Sequence, residues 1–365
     1  MSNKAILSLN AGSSSLKYAL FDAVTLDLIF EENVEGQDVE GTLSGIRTRF
    51  PKFDLLAASH RVVHGGLKYS APVLLDSLVI DELKKLIHLA PLHMTAEIAA
   101  IEAMCEIDSS LPQVACFDTA FHADRPRLDK MFAIPRHYTN DGVIRYGFHG
   151  LSFQYIASKL PEVVGDRARG RVLVGHLGNG ASMCAMRDCK SISTSMGFTA
   201  LDGLMMGTRC GAVDPGVIIY LLDHIGLSSR EVDTLLTHQS GLLGVSGISN
   251  DLRDLEQSDA PSAAEAIELF CYRAACEMGK YVMLLGGLDL VVFTGGIGEN
   301  SSIIRGKVGQ YLKWMGVTLD EEANLRNDMC ISTQDSSIGV YVLPTNEQLV
   351  LAQNACDLLK DAWSE

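Results

Sequence analysis

A chain of 365 residues is long enough for two domains, each with a substantial core. Its hydrophobic content of 47% and charged content of 21% are those of an ordinary soluble protein, and a net charge of −15 argues against nucleic acid or an anionic membrane as partner. Nine cysteines form no CxxC pair, which argues against structural zinc and a disulfide framework and suits buried thiols in a reducing cytoplasm.

From the start, residues 4–30 read as a strand (AILSLN), a small-residue loop (AGSSS) and a second strand (LKYALFD), a hairpin with a Ser-rich tip. No basic segment followed by a long apolar core precedes it, so a signal peptide is not expected. Residues 31–54 are acidic and poorly patterned, and connecting or peripheral structure is expected there. Leu55–His60 leads into RVVHGG, which places Arg61 at or near a strand end. Helical spacing over Ser77–Leu89 is broken at APLH (90–93), and Thr95–Glu106 forms a second helix. Gln113–Phe117 is a strand stopping at Asp118. The aromatic, Gly-flanked RYGFHG ends at Gly150, a domain boundary falls near it, and Ser152–Leu160 resumes a helical period.

The apolar run Val172–Leu177 stops at a Gly-Asn-Gly loop. It echoes Lys4–Lys17, and a third version stands at Leu290–Ser301, LVVFTGGIGENS. Three strands ending in small, polar loops suggest nucleotide phosphates held at the carboxyl ends of parallel strands. The echo between residues 4–22 and 172–186 implies two similar α/β halves. Residues 197–216 are glycine-dense and without periodicity. Helices follow at Val217–Ile225 and Arg230–His238, a second irregular loop at Gly241–Arg253, and a long amphipathic helix at Ala263–Leu285. A last strand, Gly339–Leu343, stops at Pro344-Thr345-Asn346-Glu347 and gives way to a closing helix, Glu347–Ala362. The longest apolar stretches fall short of the ~18 residues that a membrane span needs.

If the ligands are anions, a local cluster of cations must reverse the acidic field. Arg61, His149 and Arg209, each in a Gly-flanked segment, are the plausible clamp for phosphoryl transfer. Taken singly, each residue has a bland reading as well. Arg61 fits a surface strand end, Arg209 a loop ion pair and His149 a core histidine. Asp118 fits a turn cap, and Glu347 a carboxylate favoured by a helix dipole. His60, His64, His93 and His122 lie nearby, and metal ligation by them is not expected.

Together these segments carry a resemblance. NAGSSSLK (10–17), HRVVHGG (60–66), APLH (90–93), FDTAFH (117–122), YGFHG (146–150), HLGNGAS (176–182), GLMMGTRCG (203–211), TGGIGEN (294–300) and PTNE (344–347) resemble the motifs of acetate kinases, in the family's order. The resemblance implies an α/β fold of the acetate and sugar kinase, heat-shock ATPase and actin superfamily, two related domains with ATP in the cleft between them. Residues 1–147 would form the domain that takes the acyl acceptor and 148–346 the nucleotide-binding and dimerisation domain. Residues 347–365 would return to the first as a closing helix. The implied reaction is reversible phosphoryl transfer from ATP to acetate or another short carboxylate, giving the acyl phosphate and ADP. Mg²⁺ is the implied cofactor, with Mn²⁺ as a substitute, in a cytoplasmic homodimer.

By motif match, Asn10 and Glu347 would hold the metal, and Arg61 would bind the carboxylate. Val63, Leu92 and Phe148 would receive the acyl methyl group. Asp118 would take an acid/base or positioning role, while His149 and Arg209 would stabilise the moving phosphoryl. Lys17, His176, Leu177, Gly178, Asn179, Gly180, Asp251, Leu252, Arg253, Gly296, Ile297, Gly298, Glu299 and Asn300 would line the nucleotide. Departures from the family pattern are Ala200 for a proline of the methyl pocket, Asp202 for Glu, Phe153 for His, Ala212 for Asp and Met94-Thr95 for Asn-Pro; the 31–54 segment is short. The pocket change leaves a propionate kinase of the same fold as the alternative. A non-catalytic, actin-like ATP-binding protein would need the nucleotide loops but not Arg61, His149 and Arg209 together.

Overall fold

The computed structural model describes residues 3–12, 15–36 and 39–360. The hairpin tip at 13–14 and the end of the expected closing helix, past 360, lie outside the described residues. The chain forms two compact units, the first from the chain up to Ala123, Phe148–Tyr155 and the stretch from Asn346, the second from Asp124–Gly147 and Ile156–Thr345. Where the sequence suggests changeovers after residues 147 and 346, the chain changes unit after 123, 147, 155 and 345.

The first unit holds a six-stranded sheet of order β3-β2-β1-β4-β6-β5. Its strands are β1 (Asn3–Ala11), β2 (Ser15–Asp22), β3 (Leu28–Glu35), β4 (Phe53–Val62), β5 (Val73–Leu74) and β6 (Gln113–Phe117). β1 and β2 form an antiparallel hairpin, while β1, β4 and β6 run parallel. The apolar run in β1 follows from burial on both faces. Ala5, Leu7, Leu9 and Ala11 pack with Leu43, Ile46, Ala100 and Met104 of the helices Val39–Arg49 and Pro91–Ile107. Ile6, facing the other way, packs with Leu151 and with Val350, Leu351 and Ala355 of the helix Glu347–Leu359.

The second unit has a five-stranded sheet of order β11-β10-β7-β8-β9. Its strands are β7 (Val172–Leu177), β8 (Ala181–Arg187), β9 (Lys190–Thr194), β10 (Leu290–Thr294) and β11 (Gly339–Val342). Here too an antiparallel meander of three strands, β7-β8-β9, is flanked by two strands, β10 and β11, parallel to the first. The sequence echo is therefore a repeated topology. The helix Pro261–Leu285 packs on β8 and buries Ala263, Ala266, Phe270, Ala274, Met278 and Tyr281.

Three segments differ from expectation. Residues 31–54, expected as connecting or peripheral structure, are peripheral but regular, containing the rest of the edge strand β3 and the helix Val39–Arg49. APLH does not only end a helix. Pro91 occupies the first turn of Pro91–Ile107, where its missing N–H costs nothing. Gly241–Arg253, expected to be irregular, contains the helix Gly241–Ser246 and the start of Leu252–Glu256. Among the described residues, no helix is long and apolar enough to cross a membrane.

Leu351 is fully buried against β1 and its neighbours. Leu351→Ala should cost about 2–5 kcal/mol of unfolding free energy, read from urea denaturation. A change below the lower bound would mean that the closing helix is not integral to this core.

Candidate active site

Because β1, β4 and β6 are parallel, their carboxyl ends bring Asn10, Arg61 and Asp118 to one edge of the first sheet. Arg61 grips Asp118 with two bonds, Nε to Oδ1 at 3.0 Å and Nη2 to Oδ2 at 2.6 Å. Its Nη1 donates to Asn10 Oδ1 at 3.3 Å and lies 4.0 Å from Glu347 Oε2, at the first residue of the helix Glu347–Leu359. Burial opposes the Arg61 charge, but Asp118 and Glu347 outweigh it and hold the guanidinium above its ordinary pKa. The Glu347 carboxyl is pushed up by burial, against the pull of Arg61. Four residues from distant parts of the sequence thus form one charged cluster.

The turn after β4 is held by buried side chains. Val63 N–H donates to Glu97 Oε2 at 2.9 Å, Gly65 N–H to Thr119 Oγ1 at 3.1 Å and Gly66 N–H to His64 Nδ1 at 2.9 Å. Val63 and Phe148 are buried, whereas Leu92, in the first turn of Pro91–Ile107, is 49% exposed. The Phe148 ring meets His64 edge-on at 5.6 Å, and its carbonyl accepts from His122 Nε2 at 3.1 Å. His122 also stacks edge-on with Phe153, which is fully buried. His149 follows with φ of +58°, a left-handed conformation that is uncommon for a side chain bearing a Cβ and marks stored strain. Gly150 N–H then donates to the Asp118 carbonyl at 2.9 Å. Lys17 pairs with Glu31 at 2.9 Å in the same unit.

His60 and His64 stand four residues apart, but on a strand end, not along one helix face. His60 Nε2 donates to Gln113 Oε1 at 2.7 Å, and burial pushes its pKa down to about 4. Among the described residues, no group of three or more His, Cys, Asp or Glu side chains is placed to hold a metal ion.

In the second unit, Gly178, Asn179, Asp251, Leu252, Arg253, Gly296, Ile297 and Asn300 line one cavity of about 750 Å³, with Asn250, Glu256 and Ser301. His176 and Leu177 end β7, and Gly180 closes the turn by accepting from Gly178 N–H at 3.1 Å. Asn179 is the junction of this region. Its backbone carbonyl accepts from Gly207 N–H at 2.9 Å, and its side-chain oxygen from Asn250 Nδ2 at 3.1 Å. A Cβ at Gly207 would overlap that oxygen, so a larger residue there would displace the Asn179 side chain. Two residues on, Arg209 Nη1 donates to the Ala200 carbonyl at 2.9 Å. Glu299 turns inward, its Oε1 accepting from Gly295 N–H at 2.9 Å and Thr345 N–H at 3.1 Å. Gly298 is buried beneath it, and the fully buried Arg305 donates to the Gly298 and Glu299 carbonyls at 2.9 and 3.0 Å. Asp202 pairs with Arg145 at 2.8 Å.

Sequence reasoning missed Glu97, Asn250, Glu256 and Arg305. Glu97 carried a usable signal. It lies with Met94, Ile98 and Ile101 on the buried stripe of its helix, where a carboxylate is out of place. Asn250 and Glu256 flank the predicted Asp251–Arg253 within one turn.

Two sheets of one topology, glycine loops around a nucleotide-sized cavity and an arginine held at a strand edge define an α/β phosphotransferase. The acetokinase family model matches residues 43–353, and the chain belongs to that family. Its reaction is that of the family, reversible phosphoryl transfer between ATP and the carboxyl group of acetate. An acetate kinase of Rhodopseudomonas palustris is 49% identical, over 96% of this chain and 97% of that one. The crystal structure of a propionate kinase from Francisella tularensis superposes with a TM-score of 0.90 at 37% identity, covering 96% and 98% of the two chains. That of Porphyromonas gingivalis acetate kinase gives 0.89 at 35%, covering 98% and 100%. The fold is accordingly that of the acetate and sugar kinase and actin superfamily.

A Cβ at Gly150 would overlap the Asp118 carbonyl oxygen. Gly150→Ala should cost about 1–3 kcal/mol of stability through overpacking and lower kcat, because the segment that yields carries His149. Unchanged urea midpoint and kcat would show that the contact relaxes freely.

Proposed function

We propose that the cluster at the first sheet's edge binds the acyl acceptor and that the 750 Å³ cavity binds ATP. The observation that carries this reading is the grip of Asp118 on Arg61. It fixes the guanidinium plane and leaves N–H donors for a carboxylate, the pairing that Arg geometry serves best. The buried Val63 and Phe148 and the half-exposed Leu92 are the apolar side chains that would receive the short acyl chain. One carboxylate oxygen attacks the γ-phosphorus in line. The bond to the β–γ bridging oxygen breaks, and its electron pair leaves with ADP. His149 and Arg209 stabilise the charge on the group in transfer, and Asp118 positions Arg61. Lys17 and the 176–180, 251–253 and 296–300 segments serve the nucleotide.

Mg²⁺ is bound by few protein oxygens, with phosphate oxygens and waters completing its shell. The Asn10 amide and the Glu347 carboxylate, both near Arg61 Nη1, are hard donors of that kind. They would hold the ion, which when bound neutralises phosphate charge; Mn²⁺ would serve as well. A cytoplasmic homodimer formed through the second unit completes the reading.

A second acceptor, propionate, is favoured by Ala200, whose small side chain stands where the family pattern has proline. The structural similarity to a propionate kinase agrees with it. An apolar pocket discriminates one methylene by only about 1–3 kcal/mol.

Acyl hydroxamate formation with ATP, Mg²⁺ and hydroxylamine should peak at acetate across formate, acetate, propionate and butyrate. Ala200→Pro should raise the acetate-to-propionate ratio of kcat/KM, and an unchanged ratio would mean that the pocket is shaped elsewhere. Arg209→Ala should lower kcat by about 10²–10³; near-normal turnover would remove Arg209 from the charge-stabilising set.

A further inference from the structure

Past Val62, the last residue of β4 paired to β6, the sheet ladder ends and the backbone N–H of Val63 has no strand to donate to. Glu97 takes that place. It is 2% exposed, projects from the helix Pro91–Ile107, and accepts the Val63 N–H through Oε2 at 2.9 Å. Arg61 stands two residues before Val63, and the charges of Arg61 and Asp118 both act on the Glu97 carboxyl. One buried acid therefore ties the helix that begins at Pro91-Leu92 to the strand end that carries Arg61 and Val63.

We propose that Glu97 is a positioning residue of the acyl-acceptor subsite, holding the Val63 backbone so that Arg61 and the Val63 side chain keep one register toward the carboxylic acid. The inference rests on the proposed role of Arg61 and Val63 and goes beyond it, because Glu97 lies in none of the motifs that carry the family resemblance.

Three features support it. The N–H donors of Val63, Gly65 and Gly66 are each taken by a side chain, so none of these three is left to meet the acid. Of the three acceptors, only Glu97 is a carboxyl group. Burial pushes that carboxyl up to about 8, against the charge of Arg61 and the Val63 N–H. Near neutrality the group is mostly uncharged and leaves the Arg61 charge available to substrate. A glutamine, neutral and of equal length, offers the same acceptor.

The test is a kinetic split in the full-length enzyme. Glu97→Leu leaves a buried N–H unsatisfied and should raise KM for acetate by about tenfold or more, with KM for ATP within about twofold. Glu97→Gln should return the acetate KM to within about threefold of the parent. Glu97→Asp, which withdraws the acceptor by one methylene, should fall between the two and serves if the leucine variant does not fold. An acetate KM that is unmoved in Glu97→Leu or Glu97→Asp would overturn the proposal. So would equal losses in both KM values, or a glutamine variant as impaired as leucine. Arg61→Ala run alongside separates the two readings. If it leaves the acetate KM unchanged, the subsite assignment itself fails; if it raises KM while the Glu97 variants do not, only the role of Glu97 falls.

Discussion

The first unit depends on keeping a positive charge at a sheet edge in a protein of net charge −15. The bidentate bond between Arg61 and Asp118 does this. Burying both ions costs several kcal/mol each in lost hydration, and only good geometry offsets it. Here Nε and Nη2 meet both carboxylate oxygens of a residue that is 1% exposed. Such a pair is a weak source of stability. Its value is orientation. With one side of the guanidinium fixed, Nη1 faces Asn10 and Glu347, the oxygen-bearing ends of β1 and of the closing helix. The parallel run of β1, β4 and β6 brings the first three together, and the packing of Leu351 and its neighbours brings the fourth.

Close backbone approach is the second constraint. Gly150 lets the turn after His149 reach the Asp118 carbonyl, and Gly207 lets the turn before Arg209 reach Asn179. In each case a residue proposed to meet the moving phosphoryl lies one or two positions from a glycine bonded to another site loop. The left-handed backbone of His149 belongs to the same economy of space, its strain held by the bonds around it.

Much of this was legible in the sequence because apolar runs flanked by glycine loops have few alternatives. β1, β7 and β10 are buried on both faces, so their composition announces them. β3 and the helix after it were not legible. β3 pairs on one side only, alternates exposed and half-buried residues, and carries several glutamates, while the helix buries only Leu43 and Ile46 among the side chains described. Their order comes from packing on a neighbouring core, which no local window displays. The cluster residues stood out as strand-end residues, but the bonds that fix them did not. Thr119, His64 and Glu97 satisfy backbone donors that exist only once β4 ends where it does.

The two units answer negative charge differently. In the first, an arginine is held by carboxylates and, in the proposed reading, meets a small ligand. In the second, the cavity lining includes Asp251 and Glu256, and its one arginine, Arg253, is paired with Asp251 at 2.5 Å. Side chains there supply little net positive charge, so the proposed reading has an anion met by backbone N–H groups at 179–180 and 296–297, those of Gly178 and Gly295 being bonded within the unit, as in other glycine-rich phosphate loops. Glu299 and Arg305 then acquire a purpose. They occupy the inner face of the 295–300 segment, the carboxylate taking the Gly295 and Thr345 N–H groups and the guanidinium the Gly298 and Glu299 carbonyls. Charges on the inner side thus fix the 295–300 backbone, which in the proposed reading turns its other side to the nucleotide.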